Sequence, residues 1–386
     1  MSNYYKIAIA LAVSTFAIGT TEFVPVGMLT DIAQDMHVST GMIGLLVTGY
    51  AIAQAIGAPI ATSFVGRIAR RQLFAWLMMA FAVLNLLSAI APTYGILLGT
   101  RALTAVVHGV FFATASVYLT KLAPVDKKGE AASWLFGGLT VATVFGVPFG
   151  TYLGEAVGWR ATFSVVGLLG VFGWLGVLTQ VPKTATPLVT DNQLAGIITV
   201  IRHPKISLTL LMATLGFGSS FVLYTYIRPY LQQVTGVSTA GVVGVLVLYG
   251  AFVTVGNVIG GRLANRQALG VVAGILVAQI VVQLLQLLLL PRPGWYLVGI
   301  ALLGLVAFMG NASLQSRIIM TTTELAPAHT DVASALNVSA LNFGIAGGSF
   351  VGNAVMSYAG LQMLPLVGAV IGGVALLVVV LLRRIN

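Results

Sequence analysis

The sequence predicts an all-α membrane protein of twelve transmembrane helices in two pseudo-symmetric six-helix bundles, and three observations carry that prediction. The 386 residues are 58% apolar and only 7% charged, with a mean hydropathy of +1.00, too little polar material to cover a water-facing surface. The apolar residues gather into runs of about 20, the length at which a helix spans a hydrocarbon core of ~30 Å, whereas a barrel would alternate over ~10-residue strands. The chain also repeats itself. Gly66-Arg67-Ile68-Ala69-Arg70-Arg71-Gln72 returns 195 positions later as Gly261-Arg262-Leu263-Ala264-Asn265-Arg266-Gln267, and Thr120-Lys121-Leu122-Ala123-Pro124 returns as Thr323-Glu324-Leu325-Ala326-Pro327. Two such matches at similar offsets indicate a duplicated chain whose halves share one topology.

Apolar runs bounded by charge, proline or glycine-rich turns place the spans at about 5–30, 40–64, 72–91, 94–120, 131–155, 158–181, 205–230, 239–262, 267–290, 295–318, 331–357 and 361–382. The first follows Lys6 and reaches membrane length with no small-residue cleavage site before it, so it is read as an uncleaved span. An even number of spans puts both ends on one side. With the ends inside, the inner segments hold fifteen of the nineteen basic residues, and only Arg160, Arg228 and Arg292 lie at outer ends. That bias predicts a multi-pass protein of the inner (plasma) membrane with both termini cytoplasmic. It also accounts for the net charge of +10 without a nucleic-acid partner.

Residues 1–181 are expected to form the N-terminal bundle, 205–386 the C-terminal bundle and 182–204, the longest polar interruption, a cytoplasmic linker. Ile197, Ile198, Val200 and Ile201 predict a short helix in that linker, lying on the inner surface.

Several chemistries are excluded. The chain has no cysteine, hence no disulfide framework, thiol nucleophile or thiolate-ligated metal. It has no phosphate loop, no His-Glu-x-x-His pair and no nucleophile elbow, so neither an enzyme nor a cofactor or metal site is expected. Work on a solute would have to draw on a gradient of ions or of the solute itself.

Glu22 is the strongest chemical signal, because a carboxylate well inside a span costs at least ~2.5 kcal/mol and needs a partner or a proton. Counted from Thr30 it lies ~12 Å below the outer surface, and Arg101, counted from Tyr94, lies ~10 Å below it. The two charges are thus expected at one level. His108 follows Arg101 by two helical turns on the same face, with Thr104 between them. Glu22, Arg101 and His108 are the candidates for proton coupling; the alternatives are a static ion pair for Glu22 and structural hydrogen-bond donors for Arg101 and His108. Asp31 and Asp35 are read as solvated helix-end residues.

In the fifth span Gly138, Gly146, Pro148, Gly150 and Gly154 combine close approach with a bend. They serve either packing alone or a bent contact between the bundles that controls which side opens. Tyr224, Tyr226, Asn311, Gln315, Asn337 and Asn342 supply aromatics and amides from the seventh, tenth and eleventh spans, suited to a cavity for an uncharged or mildly polar solute. Gln279, Gln283 and Gln286 form a stripe in the ninth span, read as interhelical hydrogen bonding.

Thr21-Glu22-Phe23-Val24-Pro25-Val26-Gly27-Met28-Leu29, the run Arg101 to Phe112, and Gly146-Val147-Pro148-Phe149-Gly150 leading to Gly158-Trp159-Arg160-Ala161-Thr162-Phe163 together resemble the major facilitator superfamily. Within it they resemble the twelve-span drug:proton antiporters, especially the branch of arabinose and other sugar efflux permeases. The resemblance covers nearly the whole chain. It implies the major facilitator fold and export of a small organic molecule (sugar, drug or similar metabolite) by proton antiport with alternating access, without cofactor, by a monomer among membrane lipids. Uniport, proton symport and a non-transporting receptor are the alternatives. In the resemblance Gly146, Pro148 and Gly150 match an antiporter motif, and Arg101 a fourth-span motif implicated in proton coupling. The basic loops, Arg67, Arg70, Arg71 and their repeats Arg262 and Arg266, match a signature loop of the conformational switch. The acidic position of that loop is Gly66 here and Asn265 in the second copy, so closure would need other partners, such as Arg70 or Arg71 with Glu130 or Glu324.

Overall fold

A computed structural model describes residues 3–65, 67–124, 128–183, 193–264, 269–289 and 294–385. Among them twelve helices are long and apolar enough to cross a membrane: α1 (Tyr4–Gly27), α2 (Thr40–Thr62), α3 (Arg70–Ala89), α4 (Tyr94–Leu122), α5 (Trp134–Val157), α6 (Trp159–Gln180), α7 (Pro204–Tyr224), α8 (Thr239–Leu263), α9 (Leu269–Leu288), α10 (Trp295–Leu325), α11 (Val332–Tyr358) and α12 (Leu361–Ile385). The all-α, twelve-span expectation holds, and most span boundaries fall within a few residues of those expected.

The duplication is visible in how the halves begin. α1 carries Pro25 in its last turn, gives way at Met28, and is followed by the short helix Leu29–Asp35. α7 gives way after Tyr224 and is followed by a short helix of the same length, Ile227–Gln233, with Pro229 inside it.

The structure divides into two compact units, Met1–Val38 with Ile52–Asp191, and Ser39–Ala51 with Asn192–Asn386. The division departs from the expected ranges at two places: the expected linker 182–204 is shared between the units, and the first half of α2 belongs to the second unit. Gly41 and Gly44 explain the latter. A Cβ at either position would overlap Asn353 or the Tyr226 ring, so only glycine lets that helix lie so close.

In the first unit two helices widen into π turns, α2 at Ala53–Gly57 and α5 at Ala142–Gly146. Each π turn is followed two residues on by a proline, Pro59 or Pro148. A proline cannot bond the carbonyl four residues back and its ring presses on it. The wider turn just before it gives that carbonyl room. α8 and α11, the corresponding helices of the second unit, are uninterrupted α-helix.

Phe74, Phe81, Phe111 and Leu11 lie fully buried in the first unit. In the second, Gly218, Gly344 and Gly348 bring the backbones of α7 and α11 into direct contact. The predicted linker helix is present at Gln193–Arg202. Its Val200 packs with Ile206, Ile318 and Ala333, and Ile198 and Ile201 are exposed.

Candidate functional site

The polar centre of the first unit starts from a proline. Pro25 has no N–H to give to the carbonyl of Thr21, four residues earlier, so α1 carries an unmet acceptor at membrane depth. Arg101 of α4 meets it: one guanidinium nitrogen donates to Thr21 O at 2.5 Å and the other to Thr21 Oγ1 at 2.6 Å. The Thr21 hydroxyl in turn donates to Asn85 Oδ1 at 2.6 Å, and Asn85 Nδ2 donates to Phe81 O at 2.8 Å. The Arg101 side chain is 1% exposed, with the Phe163 ring 5.4 Å below its guanidinium carbon. Arg101 is thus built into the hydrogen-bond ladder of α1, the role of a donor between helices.

Glu22 is next to Thr21, and Arg101 therefore lies at its level, as the depth count required. Glu22 is half-buried and makes no ion pair with another described residue. His108, 3% exposed, faces the π turn of α2, with its Nε2 3.5 Å from Gln54 Nε2, and meets the Phe112 ring edge-on.

Gly146 and Gly150 turn toward α1 of their own unit. A Cβ at Gly146 would overlap Thr20 Oγ1, and one at Gly150 would overlap Val24, on either side of Glu22. Pro148, buried between them, follows the π turn. The second proline-bearing helix behaves alike: a Cβ at Gly109 of α4 would overlap Ala58 of α2, beside Pro59. Each π-turn helix therefore braces one of the two helices that carry charge, α5 against α1 and α2 against α4.

Of the basic switch residues, Arg67 is exposed, Arg70 is 3% exposed, and Arg71 donates to Leu178 O at 2.5 Å. Arg262 is exposed, and Arg266 lies outside the described residues. Glu324 is exposed on α10, and the Glu130 side chain lies outside the described ones.

At the end of its short helix Asp35 accepts from the Arg160 guanidinium and, at 3.1 Å, from Trp159 Nε1. Arg160 lies 4.3 Å from the Trp159 ring centre and reaches Ala91 O at 3.3 Å. The Arg160 hydrogen bond holds the Asp35 carboxyl below its usual range. Asp31 is half-buried.

In the second unit Tyr224, 2% exposed, stacks on Tyr249 with ring centres 4.5 Å apart. Tyr226, fully buried, donates to Ser349 O at 3.2 Å. Gln315 and Asn337 do meet: Asn337 Nδ2 donates to Gln315 Oε1 at 2.6 Å, and Gln315 Nε2 to Ser334 Oγ at 2.6 Å. Asn342 donates back to Val338 O of its own helix, and Asn311 is half-buried. The glutamine stripe bonds α9 to α7, with Gln279 Nε2 within 2.9 Å of Gly216 O, Ser219 Oγ and Ser220 Oγ, and Gln283 Nε2 3.2 Å from Ser219 O. Gln286 is equally buried, with neither amide atom bonded to a described residue.

Sequence reasoning missed Thr21, Asn85, Gln54 and Tyr249. For Thr21 the signal was present, since Pro25 four residues later leaves its carbonyl without a helical donor. For the others only tertiary packing reveals the partner.

The sequence profile of the Major Facilitator Superfamily matches residues 11–322. The chain is 38% identical to the uncharacterized MFS-type transporter YtbD of Bacillus subtilis, over 95% of this chain and 93% of that protein. It is 37% identical to the inner membrane transport protein YdhP of Escherichia coli K12, over 97% and 95%. To the probable sugar efflux transporter of Mannheimia succiniciproducens it is 32% identical, over 97% and 93%. Among solved structures, a bacterial homologue of the human lysosomal transporter Spinster, inward-facing and unoccupied, superposes with a TM-score of 0.78 over 100% of this chain and 98% of that one. At 15% identity that match speaks for the fold alone.

Proposed function

Since the chain belongs to the Major Facilitator Superfamily and is a multi-pass transporter of small solutes rather than an enzyme, we propose that it exports small organic molecules, sugars or drug-like metabolites, in exchange for protons by alternating access. In this reading it lies in the inner membrane as a monomer with both termini in the cytoplasm. The proposal for sugars draws on the 32% identity to a protein named as a probable sugar efflux transporter.

The observation that carries the coupling is the position of Glu22 beside the residue on which Arg101 is anchored. With Glu22 protonated, the guanidinium rests on Thr21 and completes the backbone of α1. With Glu22 ionised, the carboxylate competes for the guanidinium, and Thr21 O is left to find another donor. A proton thereby changes how firmly α1 is tied to α4. His108 lies two turns further along the same face of α4, where it meets Gln54 of α2. In the second unit Gln315 and Asn337 supply amides for a neutral polar solute, and Tyr224 and Tyr226, at the level of Ser349 about 18 Å further along α11, supply aromatic groups on its path.

The test is proton-driven uptake into inverted membrane vesicles. Glu22→Gln is expected to keep solute exchange and to lose accumulation driven by a proton gradient. Wild-type accumulation by Glu22→Gln would remove Glu22 from the coupling role and make Asp31 the next residue to test. An impermeant thiol reagent applied to intact cells checks the sidedness, because the chain has no native cysteine. A cysteine placed in the linker is expected to stay unlabelled.

A further inference from the structure

Where α1 begins and α6 ends, the lipid-facing side of the first unit has a groove of about 430 Å³. Its floor is made of residues with almost no side chain, Ala10 and Gly176. Its walls are Ile9, Val13 and Phe172, and Lys6, Thr179 and Gln180 line its mouth. The polar and apolar parts are separated along the membrane normal: Val13 lies two helical turns, ~10 Å, past Lys6 on α1, and Phe172 lies ~12 Å before Gln180 on α6. Ile9, Val13 and Phe172 are 39%, 41% and 63% exposed. Lys6 is exposed and has no hydrogen bond or ion pair to another described residue. Thr179 gives its hydroxyl proton to Leu175 O at 2.8 Å and accepts from Gln180 Nε2 at 3.2 Å. The ammonium of Lys6 is therefore the cationic donor at the mouth.

We propose that this groove is a binding site for one phospholipid with an anionic headgroup, its phosphate on Lys6 and one acyl chain along Ile9, Val13 and Phe172. A slot that is cationic at the membrane surface and apolar ~10 Å deeper matches the order of charges in such a lipid. Gly176 sets the depth of the slot. A Cβ there would stand 3.4 Å from the Ala10 Cβ, an ordinary contact, so a longer side chain fits the helix pair and fills the groove.

Native mass spectrometry of the detergent-purified protein titrated with dioleoyl phosphatidylglycerol or dioleoyl phosphatidylcholine tests this. The wild type is expected to retain one phosphatidylglycerol more tightly than phosphatidylcholine. Lys6→Ala should weaken the phosphatidylglycerol adduct about fivefold, the size expected of one basic residue against an anionic headgroup, and leave phosphatidylcholine unchanged. Lys6→Arg should restore it. Gly176→Leu should remove the tight adduct of both lipids while the thermal unfolding midpoint stays close to wild type. Equal retention of the two lipids by the wild type, or an unchanged phosphatidylglycerol adduct in Lys6→Ala, would overturn the headgroup assignment. Tight adducts surviving in Gly176→Leu would overturn the groove itself. Should Gly176→Leu fail to fold, the Lys6 pair decides alone.

Discussion

The two units descend from one duplicated plan and have diverged in what they bury. The first keeps charge at membrane depth: Arg101, with Glu22 beside its anchor, and two helices interrupted by a π turn and a proline. In the second, Arg228 is buried on the short helix after α7, while among the long helices glutamine and asparagine amides such as Gln279 and Asn337 bond across helices, and α8 and α11 run unbroken. An amide pair cannot change charge, and an uninterrupted helix has every backbone donor in place. A carboxylate beside a proline has both a titratable group and a loose carbonyl. On the proposed function, the first unit would respond to a proton and the second would recognise the neutral polar groups of the solute.

The sharpest way to break this contrast is to remove the principal donor of each unit. Arg101→Ala leaves the Thr21 carbonyl and hydroxyl without their donor. It is expected to lower stability by about 3 kcal/mol and to abolish proton-coupled transport. Gln279→Leu removes amide bonds that carry no charge and should lower stability by about 1 kcal/mol, with proton coupling intact. Thermal unfolding in detergent, paired with vesicle transport, reads both. Equal losses of coupling would erase the distinction.

A smaller effect is expected from the glycines. Gly150→Leu puts a side chain into Val24 and should destabilise by about 1–3 kcal/mol and slow transport, with solute binding retained in at least one state. Gly347→Ala, on α11 where nothing lies within 4 Å of the added Cβ, should be neutral or stabilise by up to about 1 kcal/mol. Binding measured against turnover separates the two.

The smallest effect is at the Asp35–Arg160 pair, which joins the short helix after α1 to α6. Its carboxyl titrates below the ordinary 3.8, so its contribution is complete above that value and disappears as the pH falls through the lower folded value. Both side chains are over a third exposed, at 42% and 45%, and solvent screens them. Asp35→Asn should therefore cost at most about 0.5 kcal/mol at neutral pH, a cost that shrinks progressively as the pH falls below 3.8, in a series of unfolding curves.

Much of this architecture was legible in the residues because membrane burial acts on whole segments. Twenty apolar positions in a row leave one backbone solution, and alternate basic loops mark the turns. The level of Glu22 and Arg101 followed from rise per residue alone. What stayed hidden was pairing. Arg101 is expected at the level of Glu22, and what the sequence did not show is that it holds Thr21, because an unmet backbone carbonyl in an apolar core competes with a carboxylate that retains some access to solvent. Gly146 and Gly150 read equally well as a contact with another bundle or with a neighbour, and only the packing shows them against α1. Tyr224 was read for a cavity without its stacking partner Tyr249, which no periodicity in α8 would single out.

The carbonyl that Pro25 leaves bare also bears on how the protein is made. Its donor lies eighty residues downstream in the chain. At ~5–20 residues per second, α1 is synthesised about 4–16 s before Arg101 exists. A helix with an unmet acceptor is poorly suited to dispersal in lipid during that interval. Nascent α1 is therefore expected to remain beside the insertion machinery, or near water at its entrance, until α4 emerges, so that the two helices settle together although α1 is made earlier.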